Sequence, residues 1–217
     1  MLELALKSLA SYLLGSLMGA LIAGRLRGVD IRELGSGNAG GTNALRTQGF
    51  GFALAVVVVD VGKALVAVGL LPGLELPGVG LDPAVDRDWL AVACATAVVA
   101  GHVWPLYHEF RGGKGAATLV GAVAVLEPLA LVPVVALWLV VVMLTGFVGL
   151  ATILACAALP VAFAAIGGHA ALPLVVFGAA MAAFIAWTHR ANLARMRSGN
   201  ENRARRLWLL RPRDSGR

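Results

Sequence analysis

Apolar residues in this chain come in long continuous runs, without a period of two. The runs lie at roughly 4–24, 50–71, 89–107, 115–127, 129–145, 147–166 and 171–188. About 20 apolar residues in a row suffice to cross a bilayer as a helix. The runs lack the alternation of a membrane barrel, and a helix satisfies its own backbone in lipid. The pattern therefore predicts an all-α integral membrane protein with seven transmembrane helices. The stretch 115–166 is nearly unbroken and is divided at Glu127-Pro128 and Thr145-Gly146, where turn residues interrupt it. Without those divisions the count is five, and either odd number puts the two termini on opposite sides. The first run has Glu3 before Lys7 instead of a basic leader, and it is too long for a signal-peptide core, so it reads as a retained span.

Composition agrees. Of the 217 residues, 59% are hydrophobic and 14% charged, where a soluble domain carries about 25% charged residues. Mean hydropathy is +0.83. The basic residues set the orientation. All 18 Lys and Arg except Lys7, Lys63 and Arg87 fall in segments 25–46 and 108–114 and in the tail from 189. Loop 72–88 holds Glu75, Asp82, Asp86 and Asp88 against Arg87 alone. Positive charge stays inside, so the N-terminus is expected outside and the C-terminus in the cytoplasm. The net charge of +6 is thus a topology signal; nucleic acid is not an expected partner, and attraction of the tail to anionic headgroups fits better. No soluble domain is expected: residues 1–203 read as one transmembrane domain and 204–217 as a basic tail. Cys94 and Cys156 lie within apolar runs without metal-ligand spacing and read as fillers.

Three polar segments fall on the predicted cytoplasmic side. The first, GSGNAGGTNALR from Gly35 to Arg46, combines glycines with Ser36, Asn38, Thr42, Asn43 and the cation of Arg46. Successive amides in such a turn form an anion-binding nest, so Gly37 and Gly40 join the candidate phosphate ligands. The next span is expected to start near Thr42-Asn43, both good N-caps, and a helix N-terminus favours phosphate. The alternative is a plain glycine linker. The second segment places Gly112-Gly113-Lys114-Gly115 before the short fourth run. A Walker A loop needs glycine at the position of His108 and a hydroxyl after the lysine; both are missing, so ATP hydrolysis is disfavoured. Gly113 still lets backbone approach an anion, and Lys114 adds a point charge; the alternative for Lys114 is a topology anchor. In the third segment His189 and Asn192, three apart, share one helix face where the last span emerges. Asp60 and Lys63, also three apart, lie inside the second span. Each costs about 2.5–3.5 kcal/mol there on insertion scales, so they are expected to pair inward, as a support for the site or as a structural ion pair. His102 ends the third span and is placed to line the same cavity.

Together these segments resemble the acyl-phosphate:glycerol-3-phosphate acyltransferase family of bacterial membranes, the PlsY type. Gly35–Arg46 is similar to the family's GSGNxGxTNxxR, and Gly101–Thr118 to GHxFPxxxxFxGGKGxAT. His189, Asn192, Arg195, Gly199 and Glu201 match HxxNIxRLxxGxE, and Asp60 with Lys63 match an Asp-x-x-Lys. Ala39 and Gly41 stand where the family commonly has Pro and Ala, Trp104 replaces Phe, and Leu193 and Met196 replace Ile and Leu. The resemblance covers residues 4 to 203. It implies a seven-helix fold in the bacterial cytoplasmic (inner) membrane with its active site on the cytoplasmic face. It implies phospholipid biosynthesis, with transfer of a fatty acyl group from acyl phosphate to the 1-position of glycerol 3-phosphate, releasing lysophosphatidic acid and phosphate. No cofactor, metal or oligomer is required.

The chemistry suits these residues independently of the name. Both substrates carry phosphate, and the donor's chain needs access from lipid. An acyl phosphate is already activated, so the main catalytic task is orientation and charge stabilisation. Ser36, Arg46, Lys114, His189 and Asn192 are the expected catalytic set. The His-x4-Asp dyad of other glycerolipid acyltransferases follows none of the four His, and Ser36 lacks a GxSxG elbow. Direct attack by the glycerol hydroxyl is expected, with a substrate phosphate oxygen taking the proton; His189 as general base is the rival. The other function class is a membrane carrier for a phosphorylated solute, which predicts an internal repeat and a midplane site, neither of which the sequence displays.

Overall fold

The computed structural model describes residues 1–205 and 207–210. The described residues form helices and turns, with no strand among them. The described residues pack as two compact units, one of residues 1–128 and one that begins at Leu129. Six segments are long and apolar enough to cross a membrane: Leu2–Arg27, Phe50–Gly73, Arg87–His108, Pro128–Thr145, Val148–Ile166 and Gly168–Thr188.

The first unit contains α1 (Leu2–Gly15), α2 (Gly19–Arg27), α3 (Gly41–Gln48), α4 (Phe50–Gly69), α5 (Arg87–Val103) and α6 (Ala116–Leu126). The first expected span is therefore broken at Ser16–Met18. Glycines allow the close packing around the break. A Cβ on Gly15 would overlap the Val98 carbonyl of α5, and one on Gly101 would overlap the Tyr12 carbonyl of α1, so α1 and α5 run antiparallel in backbone contact. Gly19 sits in the same way against Val56 of α4. The Gly15-x-x-x-Gly19 pair thus packs two helices of its own chain.

The helix at 41 is not the start of the second span, as the sequence suggested. It is the separate, short α3, capped by Gly40 and not by Thr42 or Asn43, and it stops at Gly49, whose φ is 84°. That dihedral is open to glycine and closed to most side chains, so α4 starts afresh at Phe50.

The short fourth run also has a physical reason. α6 is 11 residues, about 16 Å at 1.5 Å per residue, against a hydrocarbon core of about 30 Å. The chain doubles back before α6 begins: the amides of Gly112 and Gly113 donate to the carbonyls of Val103 and His102, at 3.2 and 3.1 Å. From there α6 runs beside α4 in the same direction, with Gly121 against Val61 and Ala64, and Val125 against Gly69, the last residue of α4.

At the other end of this unit, polar groups close the loop 72–88. Glu3 and Lys7 are buried in α1 and pair at 2.7 Å. Arg87 binds Glu3 through both guanidinium nitrogens at 2.7 and 2.9 Å, and the Lys7 ammonium donates to the Pro72 carbonyl.

The second unit contains α7 (Leu131–Thr145), α8 (Val148–Ala157), α9 (Leu159–Ile166), α10 (Ala171–Thr188) and α11 (Arg190–Arg197). The expected span 147–166 is interrupted at Ala158, just ahead of Pro160, which has no amide to continue the ladder. Gly178 of α10 packs against Pro160 and Phe163 of α9. Residues after Gly199 return to the α7–α8 turn: the Ala204 amide donates to Gly146 at 2.7 Å, and the Arg203 guanidinium lies over the Phe147 and Trp208 rings. The expected tail thus begins in contact with its own unit. Its Arg206 and residues 211–217 lie outside the described residues.

Candidate active site

In the first unit the GSGNAGGTN segment is a turn stitched to itself. Gly35 and Gly37 adopt φ of 58° and 72°, and Ile31, Ala39 and Ala44 anchor the turn in an apolar cluster with Met18, Phe52 and Val56. Asn43 is its centre. The buried amide accepts from the Ser36 amide at 2.9 Å and donates to the carbonyls of Ile31 and Leu34 at 3.2 and 2.9 Å. Both side-chain donors are used, so the Asn43 side chain shapes the cradle, while its backbone amide lies in the first turn of α3. Gly37 and Gly40, expected among the phosphate ligands, turn their amides inward as well, to Leu34 and Asn38. What the turn presents outward is the half-buried Ser36 and Asn38 and the exposed Thr42 and Arg46, one helical turn apart on α3. The first turn of α3 adds amides that have no intrahelical acceptor. Below the turn, Arg32 grips Asp30 at 2.7 Å. That cation holds the Asp30 carboxyl below its ordinary range, and the carboxylate raises the Arg32 guanidinium in return.

The second segment meets the first. Gly113 is buried, and a Cβ there would stand 3.1 Å from the Ala39 carbonyl. Arg32 also reaches the His108 carbonyl at 3.5 Å. Glu109 and Phe110 both hold φ of 57°, an uncommon conformation for side-chain-bearing residues and one that clusters at functional loops. Lys114 follows, half-buried.

Asp60 and Lys63 are buried and paired at 3.2 Å, and the break in the first span explains why. The Lys63 ammonium donates to the carbonyls of Gly15 and Leu17, at 2.8 Å each, the acceptors left without partners when α1 ends. The Asp60 carboxylate accepts from the Gly19 amide at 3.2 Å, a donor left over where α2 begins. A cation at a helix C-terminus and an anion at an N-terminus are the favourable arrangement. Sequence reasoning found the pair by its spacing but not this duty, because the break lies inside an unbroken apolar run.

In the second unit His189 sits between α10 and α11, buried, with Nδ1 2.8 Å from the Ile185 carbonyl. A carbonyl accepts only, so Nδ1 carries the proton and the ring lone pair lies on Nε2. The Asn192 amide donates to Glu201 at 2.6 Å, and Arg195 binds the other Glu201 oxygen at 2.7 Å. Glu201 thus orients two neighbours from the same motif.

Residues 5–199 match the family model described as glycerol-3-phosphate acyltransferase. The chain is 36% identical over 215 residues to the glycerol-3-phosphate acyltransferase of Chlorobaculum parvum, covering 89% of this chain and 93% of that one. It is similar to the crystal structure of PlsY (YgiH), an integral membrane glycerol 3-phosphate acyltransferase, in its glycerol 3-phosphate form: TM-score 0.76, 29% identity, 92% of this chain and 94% of that one. The lysophosphatidic acid form of the same enzyme gives 0.75 and 28%, over 94% and 97% of the two chains. On its sequence and on its fold alike, the chain belongs to the glycerol-3-phosphate acyltransferase family.

Proposed function

We propose that this protein transfers a fatty acyl group from acyl phosphate to the 1-position of glycerol 3-phosphate. The 1-hydroxyl attacks the acyl carbonyl carbon, the bond from that carbon to the phosphate oxygen breaks, and phosphate leaves with the electron pair. A phosphate oxygen takes the hydroxyl proton. The products are lysophosphatidic acid and inorganic phosphate.

The observation that carries this reading is the meeting of two anion-type loops in one unit, at Ala39 and Gly113. A reaction with phosphate on both substrates needs such a surface. Ser36, Asn38, Thr42, Arg46 and the first amides of α3 form one part of it, and Gly113 with Lys114 the other. Arg46 and Lys114 neutralise charge as phosphate departs. His189 and Asn192 are the candidate substrate ligands of the second unit, as the match to the family's third motif implies. Residues 1–203 act as one catalytic domain, and 204–217 as a basic tail.

The charge pattern supports an external N-terminus, a cytoplasmic C-terminus and a cytoplasmic active-site face, and the bacterial relatives support an inner-membrane location. α6 is the seventh membrane-embedded helix. Its end draws level with the end of α4, and only if it completes a crossing does the arginine-rich tail fall on the same side as segment 25–46. The donor is tested by offering acyl phosphate, acyl-CoA and acyl-carrier protein in turn with glycerol 3-phosphate. Turnover with acyl phosphate alone is expected; equal rates with a thioester would overturn the donor assignment.

A further inference from the structure

His102 has no role in the bond changes just described, yet it is placed between two parts of the first unit that must agree. Its ring is buried. On one side Nδ1 lies 2.9 Å from the Lys63 ammonium. The Asp60 carboxylate stands 3.5 Å from the same nitrogen, so both members of the ion pair face one edge of the ring. On the other side Nε2 faces Gly113, so closely that a Cβ on that glycine would overlap it. The His102 carbonyl also accepts the Gly113 amide. The same residue therefore holds the glycine loop by backbone and by ring edge, one position before Lys114.

Lys63 fixes the ring in turn. Its ammonium is held by Gly15, Leu17, Asp60 and His102, an arrangement resembling a bound cation tethered to the chain. The break in the first span, the buried ion pair and the glycine loop are thus linked through one imidazole.

We infer that His102 is a positioning residue for the phosphate site: it sets the height of the Gly112–Lys114 loop from the ion pair at the helix break. The inference rests on the acyl-transfer reading above. If it holds, loss of the ring loosens Lys114 and weakens phosphate binding, while the reacting groups stay in place.

The test uses the full chain in detergent or nanodiscs, with His102→Ala, His102→Asn and Gly113→Ala. In His102→Ala the KM for glycerol 3-phosphate or for acyl phosphate should rise about tenfold or more, with kcat changed less than about threefold. His102→Asn, whose side-chain oxygen can accept from Lys63, should recover most of the affinity. Gly113→Ala, which pushes on the ring with His102 still present, should raise the same KM. Calorimetric binding of glycerol 3-phosphate and of inorganic phosphate gives a readout independent of turnover, so a failed acyl-transfer assay does not decide this point. Should His102→Ala fail to fold, the Asn and Ala variants at 102 and 113 carry the comparison. Unchanged KM and binding in Gly113→Ala and in the His102 variants would overturn the inference, and so would a His102→Asn protein as impaired as His102→Ala.

Discussion

Asn43 shows how a residue can look like a ligand and be a frame. Its amide joins Ser36, Ile31 and Leu34, so Asn43→Ala strands one backbone donor and two acceptors. Each unsatisfied buried group costs about 1–3 kcal/mol. The variant should melt at lower temperature than the wild type and lose activity in proportion to lost fold; a stable but inactive variant would return Asn43 to the ligands. The sequence displayed the residue types of the cradle, but not which way each polar group points: the Asn43 side chain and the Gly37 and Gly40 amides are bonded within the turn. Asp30 offers a second test at this scale. Its carboxyl titrates below its ordinary value because Arg32 is beside it. The stability gained from that pair is full above the ordinary carboxylate range and is lost as pH falls through the lowered value. Asp30→Asn should flatten that acid-side loss in melting temperature. An unchanged acid limb would show that the pair is already screened by solvent.

At the scale of elements, the apolar runs located the helices well, while their interruptions stayed hidden. Ser16–Met18 and Ala158 break two of the runs without leaving them, since the residues there are as apolar or small as their neighbours. Pro160 gave a signal for the second break. Nothing local marked the first, whose freed backbone groups are taken up by Lys63 and Asp60, 41 to 48 residues away. Removing one member of a buried pair typically costs about 3–5 kcal/mol, because the other charge is left alone. Lys63→Met should therefore lower the melting temperature strongly, and Asp60→Leu/Lys63→Met should recover part of the loss. A double variant worse than the single one would mean that capping the broken helix, not charge balance, dominates. The shortness of α6 was legible; its reason, the backtrack at Gly112 and Gly113, was not.

For the whole molecule, hydropathy and basic residues were enough to predict an all-α membrane protein, because lipid leaves few ways to satisfy a backbone. The three motifs were enough to point to the family. Topology is the next claim to measure. With Cys94 and Cys156 replaced by Ala, a cysteine at Asp82 should label with a membrane-impermeant maleimide in intact cells, and one at Arg205 only after lysis. Labelling of both in intact cells would reverse the proposed crossing by α6. The central claim is the reaction itself. Purified protein given acyl phosphate and glycerol 3-phosphate should release one phosphate for each lysophosphatidic acid formed, and a folded Lys114→Ala protein should release none. Phosphate release that does not need glycerol 3-phosphate, or near-normal turnover in Lys114→Ala, would contradict the account.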